Sequence, residues 1–156
     1  MDNVGRILVT MQATMDCQAV FGYAARLAER LQARLFVLDV VYNPFAYTGW
    51  NLPMPSMEKD YQRLVDEVRD RLRMLVGDER ERGFPAEYIV REGDPAIQVM
   101  KVVEEEKIDL LIMPFHEETR LEHFLWGKMA EKIIRKMPCS VLLVRHDPEN
   151  LCSMDE

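Results

Sequence analysis

The sequence predicts a doubly wound α/β domain, in which a parallel sheet carries helices on both faces. Five short apolar runs alternate along the chain with longer stretches whose apolar residues recur every three or four positions. Four of the five runs are almost continuously apolar, as strands buried on both faces should be. Parallel strands need crossover connections, and right-handed crossovers distribute the helices over both faces of the sheet. The 156 residues are enough for one such domain.

The predicted strands are the apolar runs themselves. They span residues 6–11, 34–41, 87–92, 109–114 and 140–145. The third run, "EYIVRE", is more polar than the others, and this favours a position at the edge of the sheet.

Four helices are predicted between these strands. The first two have apolar stripes that run from Cys17 to Leu31 and from Tyr61 to Val76. The third opens at "GDPA", where Asp94 can cap free backbone N–H groups and Pro95 suits the first helical position. The fourth ends before Pro138. Its predicted apolar face consists of Ala130, Ile133, Ile134 and Met137.

Charge and composition exclude several classes of partner. A net charge of −7 opposes general attraction to nucleic acid or to anionic membranes. No apolar run approaches the roughly 20 residues that span a bilayer, and the first residues lack the apolar core of a signal peptide. Three cysteines without a CxxC pair favour free thiols in a reducing compartment. We therefore expect a cytoplasmic protein without membrane insertion or nucleic-acid partners.

Ligands of a doubly wound sheet bind at the carboxyl ends of the strands, so the loops at 11–16, 42–56 and 114–128 are the places to inspect. Residues 42–56 are rich in aromatics and proline, and they could form either a binding lid or a cover for the sheet edge.

The strand ends lack the residues of three known kinds of site. These are the carboxylate cluster of a phosphorylated receiver domain, the glycine-rich phosphate loop of a flavodoxin and the GxGxxG of a dinucleotide site.

No catalytic constellation is visible in the sequence. His116 and His123 share a loop without a nucleophile or the spacing of a metal site, and solvated loop histidines explain them. The position of Asp94 before Pro95 explains it as a helix cap. We therefore single out no residue as catalytic and expect no metal.

Three long stretches together resemble the universal stress protein family (UspA-like). They are "RILVTMQATMDCQAVFGYAARLAERLQARLFVLDVV", "VREGDPAIQVMKVVEEEKIDLLIMPFH" and "LEHFLWGKMAEKIIRKMPCSVLLVR". The resemblance implies a single domain over residues 1–146, followed by an acidic tail at 147–156. It also implies an adenine nucleotide alpha hydrolase-like sheet in the order 3-2-1-4-5. The implied homodimer would form through the last strand, at Val141, Leu142, Leu143 and Val144.

Many members of that family bind ATP through the signature G-x2-G-x9-G-(S/T). Here the spacing is kept, but Pro114 and Glu117 stand at the first two glycine positions, Gly127 keeps the third, and Lys128 replaces the hydroxyl residue. Glycines in such a loop let backbone N–H groups approach phosphates closely. Proline has no N–H, and glutamate adds a side chain and a negative charge, so both changes weaken polyphosphate binding.

The family's remaining nucleotide contacts map onto the ends of the first two strands. Gln12 stands where an acidic residue usually fixes the ribose or base, followed by Thr14, and Val41 stands where members often contact adenine. An amide can still hydrogen-bond to a hydroxyl group or a base edge.

The resulting hypothesis is a homodimer of the non-ATP-binding type, which has no cofactor and acts through an unknown protein partner in the stress response. The alternative is an ATP- or AMP-binding switch or slow ATPase, in which Lys128, Gln12 and Thr14 replace the missing contacts. A third possibility is a site for another anion or metabolite between His116, Arg120 and Lys128.

Overall fold

A computed structural model describes residues 4–11, 18–42, 55–115 and 124–145. In these ranges five strands alternate with four helices. Their order along the chain is β1 (Arg6–Met11), α1 (Gln18–Leu31), β2 (Arg34–Val41), α2 (Pro55–Glu81), β3 (Ala86–Glu92), α3 (Pro95–Glu105), β4 (Leu110–Phe115), α4 (Phe124–Lys136) and β5 (Ser140–Arg145). None of these helices is both long and apolar enough to cross a membrane.

The strands form one parallel sheet in the order β3-β2-β1-β4-β5. This confirms the fold class, the strand order and the edge position of the third strand. The register of β1 against β2 continues to the pair Met11 and Asp39, whereas its register against β4 ends at Val9 and Ile112. The carboxyl ends of β1 and β4 therefore part from each other, and this is the point where the winding direction reverses.

Two apolar layers hold the helices on the sheet. On one face, which we call the α1–α2 face, Ile7, Val9, Leu35 and Val37 pack with Ala24, Ala28, Leu72 and Val76. On the other, the α3–α4 face, Leu8, Phe36, Leu38, Leu111 and Met113 pack with Val99, Val102, Met129 and Ile133. All of these side chains are buried, as expected for a sheet covered on both sides.

The start of α3 has the local structure that its sequence predicts. Asp94 is the N-cap, its Oδ1 accepts a hydrogen bond from the Ile97 N–H at 3.0 Å, and Pro95 occupies the first turn. Gly93 precedes it at φ +123°, a conformation that L side chains rarely adopt.

Three elements differ from the prediction. The chain enters α2 at Pro55, so the last two residues of the predicted loop are helical. Ile134 on α4 and Met137, which directly follows the helix, are 41% and 57% exposed, because the buried face of α4 is centred on Met129, Ala130 and Ile133. β5 was expected to be buried on both faces, but its side chains are half-buried or exposed, because it is an edge strand with a neighbour on one side only.

Candidate functional site

The opening between the carboxyl ends of β1 and β4 is the place where a doubly wound sheet offers room to a ligand. Thr10 lies at this level of β1 and is 1% exposed. Among the described residues, its Oγ1 has no hydrogen-bond partner. On the other side of the opening, Pro114 is a buried residue of β4, in register with Val144 of β5. Within the described ranges, the carboxyl edge therefore has a buried hydroxyl group without a hydrogen-bond partner, at Thr10, and a backbone nitrogen without a proton, at Pro114.

Val41 does not line this opening with its side chain. It is 3% exposed and packs beneath α2 in a small cluster with Tyr61, Val65 and Val68. Its carbonyl accepts a hydrogen bond from the Gly93 N–H at 3.0 Å. An adenine could contact the Val41 side chain only if α2 moved away from it. The contact with adenine at Val41 therefore stays a prediction.

Gly127 and Lys128 belong to α4. The helix begins at Phe124, which makes them its fourth and fifth residues, and Lys128 is exposed. Only about the first four N–H groups of a helix lack an intrahelical acceptor, so the Lys128 N–H belongs to the hydrogen-bonded ladder. An anion at the start of α4 would meet the Lys128 side chain rather than its backbone.

The remaining predicted contacts fall outside the described residues. These are Gln12, Thr14, His116, Glu117, Arg120 and His123, together with most of the 42–56 loop and the acidic tail at 147–156. The structure thus places Val41 in the cluster beneath α2, Pro114 within β4, and Gly127 and Lys128 in the first turns of α4.

Sequence reasoning missed a buried carboxylate. Asp39 lies in β2 and is 0% exposed, and its Oδ2 accepts a hydrogen bond from Arg71 Nη2 of α2 at 3.2 Å. Its Oδ1 is buried and has no partner in the described part of the chain. Burial raises the pKa of Asp39 to about 7, although Arg71 and the Val40 backbone N–H act to lower it. The available signal was one charged residue inside the apolar run "RLFVLDVV".

A second polar contact joins Tyr61 of α2 to Glu92 at the carboxyl end of β3. The Tyr61 hydroxyl donates to Glu92 Oε2 at 2.9 Å, and Tyr61 is 9% exposed. Burial and the carboxylate of Glu92 both raise the pKa of Tyr61, which keeps its proton on the phenol. This contact holds the first described turns of α2 against β3 at the carboxyl edge.

A cavity of about 560 Å³ lies at the opposite, amino edge of the sheet. It is lined by Met100, Val103, Glu104, Lys107, Ile108, Asp109, Lys136 and Pro138. Its mixed charges and its distance along the strands separate it from the opening between β1 and β4.

Comparison with known proteins agrees with this architecture. The universal stress protein family model matches residues 3–145. A universal stress protein of Methanothermobacter thermautotrophicus is 38% identical over 143 residues, which are 90% of this chain and 94% of that protein.

Among solved structures, universal stress protein UspA from Lactobacillus plantarum superposes with a TM-score of 0.71 at 20% identity, over 93% of this chain and 100% of that one. A universal stress protein family member from Arabidopsis thaliana, solved with AMP bound, gives a TM-score of 0.62 at 15% identity, over 96% of this chain and 97% of that one. Because the family model spans nearly all of the sequence and the fold is shared, this chain belongs to the universal stress protein family.

Proposed function

We propose that this chain is a cytoplasmic, homodimeric universal stress protein of the non-ATP-binding type, which acts in the stress response by binding a protein partner. The observation that carries the first part is Pro114. It occupies the first glycine position of the family's ATP signature and lies buried within β4, beside Val144 of β5. A proline in that position offers a phosphate no N–H group.

The start of α4 supports the same conclusion. The hydroxyl position of the signature is Lys128, whose backbone N–H lies inside the helical ladder because the helix begins at Phe124. A phosphate chain there would depend on a flexible ammonium group instead of fixed backbone donors. Val41, at the expected adenine contact, is covered by Tyr61.

The dimer is supported by the exposure of β5. This strand ends the sheet, and its apolar side chains Val141, Leu142 and Val144 are only half-buried, while Leu143 is 38% exposed. Phe115, at the end of the neighbouring strand β4, is 46% exposed. An apolar edge strand is a surface for pairing with another strand. A second copy of β5 would cover these residues and extend the sheet.

The second candidate is a nucleotide-responsive switch. It is favoured by the opening between β1 and β4, where the Thr10 hydroxyl lacks a partner among the described residues. The Arabidopsis relative with AMP bound shows that a protein of this fold holds a nucleotide. In this chain, Lys128 and Gln12 would then replace the usual contacts.

Calorimetric titration with ATP and magnesium separates the two candidates. We expect no binding heat from the wild type. The matched variant, Pro114→Gly with Glu117→Gly and Lys128→Ser, rebuilds the signature and should gain measurable affinity. Micromolar binding by the wild type, lost in Lys128→Ala, would overturn the proposal and establish the nucleotide switch.

A further inference from the structure

The cavity at the amino edge of the sheet has the size of a small-molecule site. Its volume is about 560 Å³, within the range of about 300–1,000 Å³ that is usual for ligand pockets. It lies where the last turns of α3 and α4 approach the start of β4. The described residues that line it include none of the predicted nucleotide contacts. A ligand in this cavity would therefore be separate from a nucleotide at the carboxyl edge.

The floor of the cavity is apolar, and the backbone holds it in place. Val103 and Ile108 are 4% and 5% exposed, and both belong to the apolar layer on the α3–α4 face. The Ile108 N–H donates to the Val103 carbonyl at 3.0 Å and so closes the end of α3. Met100 and Pro138 add further apolar surface. The apolar part of a ligand would therefore meet a surface that is formed before binding.

Charged side chains of both signs surround this floor. Lys107 follows α3 with φ +50°, and Lys136 is the last residue of α4, so the two ammonium groups come from different elements. Glu104, in the last turn of α3, brings a carboxylate to the same cavity. All three residues are exposed. The rim of the cavity therefore offers charges of both signs beside an apolar floor.

The other charged residue of the described lining is engaged with β1. Asp109 Oδ2 accepts the backbone N–H groups of Gly5 and Arg6, each at 2.9 Å. These two donors stabilise the Asp109 carboxylate where it lies and hold it toward the start of β1. Glu104 is therefore the carboxylate that a ligand would contact, together with the ammonium groups of Lys107 and Lys136.

We propose that this cavity binds a free amino acid with a large apolar side chain. The side chain of the ligand packs on Val103 and Ile108, its α-carboxylate contacts Lys107 and Lys136, and its α-ammonium group contacts Glu104. A ligand with one charge only would leave one sign of the rim without a partner, so the rim selects a ligand that carries both. The inference depends neither on ATP binding nor on the dimer, and it can fail or succeed separately from the proposed function.

NMR titration of the intact methyl-labelled chain tests this site with L-phenylalanine as the probe. The Val103 and Ile108 methyl signals should shift and saturate with one affinity, whereas Leu72, on the α1–α2 face, should not shift. Two analogues divide the contacts, because 3-phenylpropanoate lacks the ammonium group and 2-phenylethylamine lacks the carboxylate. Each should bind about tenfold more weakly than L-phenylalanine. The absence of a saturable shift at Val103 and Ile108, or equal affinity for all three compounds, would overturn the proposal.

Variants of the rim assign each charge. Lys107→Ala with Lys136→Ala should weaken L-phenylalanine and 3-phenylpropanoate but not 2-phenylethylamine. Glu104→Gln should weaken L-phenylalanine and 2-phenylethylamine but not 3-phenylpropanoate. The matched control is Lys59→Ala with Lys101→Ala, which removes two exposed lysines outside the described lining and should change none of the three affinities. If the control weakened L-phenylalanine as much as the Lys107 and Lys136 variant did, the proposed contacts would be wrong.

Discussion

Asp94 joins the start of α3 to α4 with two different oxygens. Its Oδ1 accepts the Ile97 N–H at 3.0 Å, and its Oδ2 lies 3.4 Å from the Lys132 ammonium group. The first contact caps one helix, and the second ties that helix to its neighbour. One side chain therefore caps the beginning of α3 and also contacts the neighbouring helix α4.

Replacing Asp94 separates these two roles. Asp94→Ala loses the cap and should lower the free energy of unfolding by about 1 kcal/mol, within the usual range for caps. Asp94→Asn keeps a capping oxygen and loses only the charge facing Lys132, so its cost should be smaller. Lys132→Ala is the control, because a pair this exposed contributes about 0.5 kcal/mol or less. Urea unfolding at pH 7 measures all three variants, and an equal loss in Asp94→Ala and Asp94→Asn would contradict the capping role.

Leu143→Lys tests the dimer. The side chain is 38% exposed on the edge strand β5, so the substitution should be tolerated by the monomer but should place a charge in the proposed interface. We expect sedimentation to show a dimer for the wild type and a monomer for the variant. Leu64→Lys, at a 41% exposed leucine of α2, is the matched control and should stay dimeric. A Leu143→Lys protein that remains a dimer would exclude this strand as the interface.

Tyr61→Phe removes the hydrogen bond that holds α2 near the carboxyl edge. The hydroxyl donates to Glu92 at 2.9 Å, and its loss should cost about 0.5–1.5 kcal/mol of unfolding free energy. Tyr88→Phe is the control, since no hydrogen bond to the Tyr88 hydroxyl is found within the described ranges. Hydrogen exchange should accelerate in the first turns of α2 only in Tyr61→Phe, and unchanged exchange there would refute this anchoring role.

The buried Asp39 also predicts how stability changes with pH. Its folded-state pKa of about 7 lies above the ordinary 3.8, so between these values the folded chain holds a proton that the unfolded chain releases. The contribution of Asp39 to stability is therefore largest at acidic pH and is lost as the pH rises through about 7. Asp39→Asn should gain stability relative to the wild type between pH 5.5 and pH 8, by more than about 1 kcal/mol. Denaturant midpoints at the two pH values provide the measurement, and a constant difference would contradict it.

Much of this fold could be predicted from local pattern. The bounds of β1, β2 and β5 follow from apolar runs, and the start of α3 follows from Asp94 and Pro95. The strand order could not be read from periodicity, because alternation is the same for many orders of winding; it came from the family resemblance.

The contact between Asp39 and Arg71 and the covering of Val41 were beyond sequence reasoning for a physical reason. Asp39 and Arg71 are 32 positions apart, and their contact depends on which turn of α2 lies over β2. In the same way, whether the Val41 side chain contacts a ligand or a helix depends on where the first turns of α2 pack. Tyr61 holds these turns over Val41 through its hydrogen bond to Glu92. The residue types at Asp39 and Val41 determine which interactions are possible there, but tertiary packing determines which residue each side chain contacts.

The early end of the pairing between β1 and β4 has a mechanical consequence. The pairing of β1 with β4, which we call the seam, runs only from Ile7 with Leu110 to Val9 with Ile112. The neighbouring pairings are longer: β1 pairs with β2 as far as Met11 and Asp39, and β4 pairs with β5 as far as Phe115 and Arg145. Under tension or shear the sheet should tear along this short seam first. The three amino-terminal strands would then part from the two carboxyl-terminal strands.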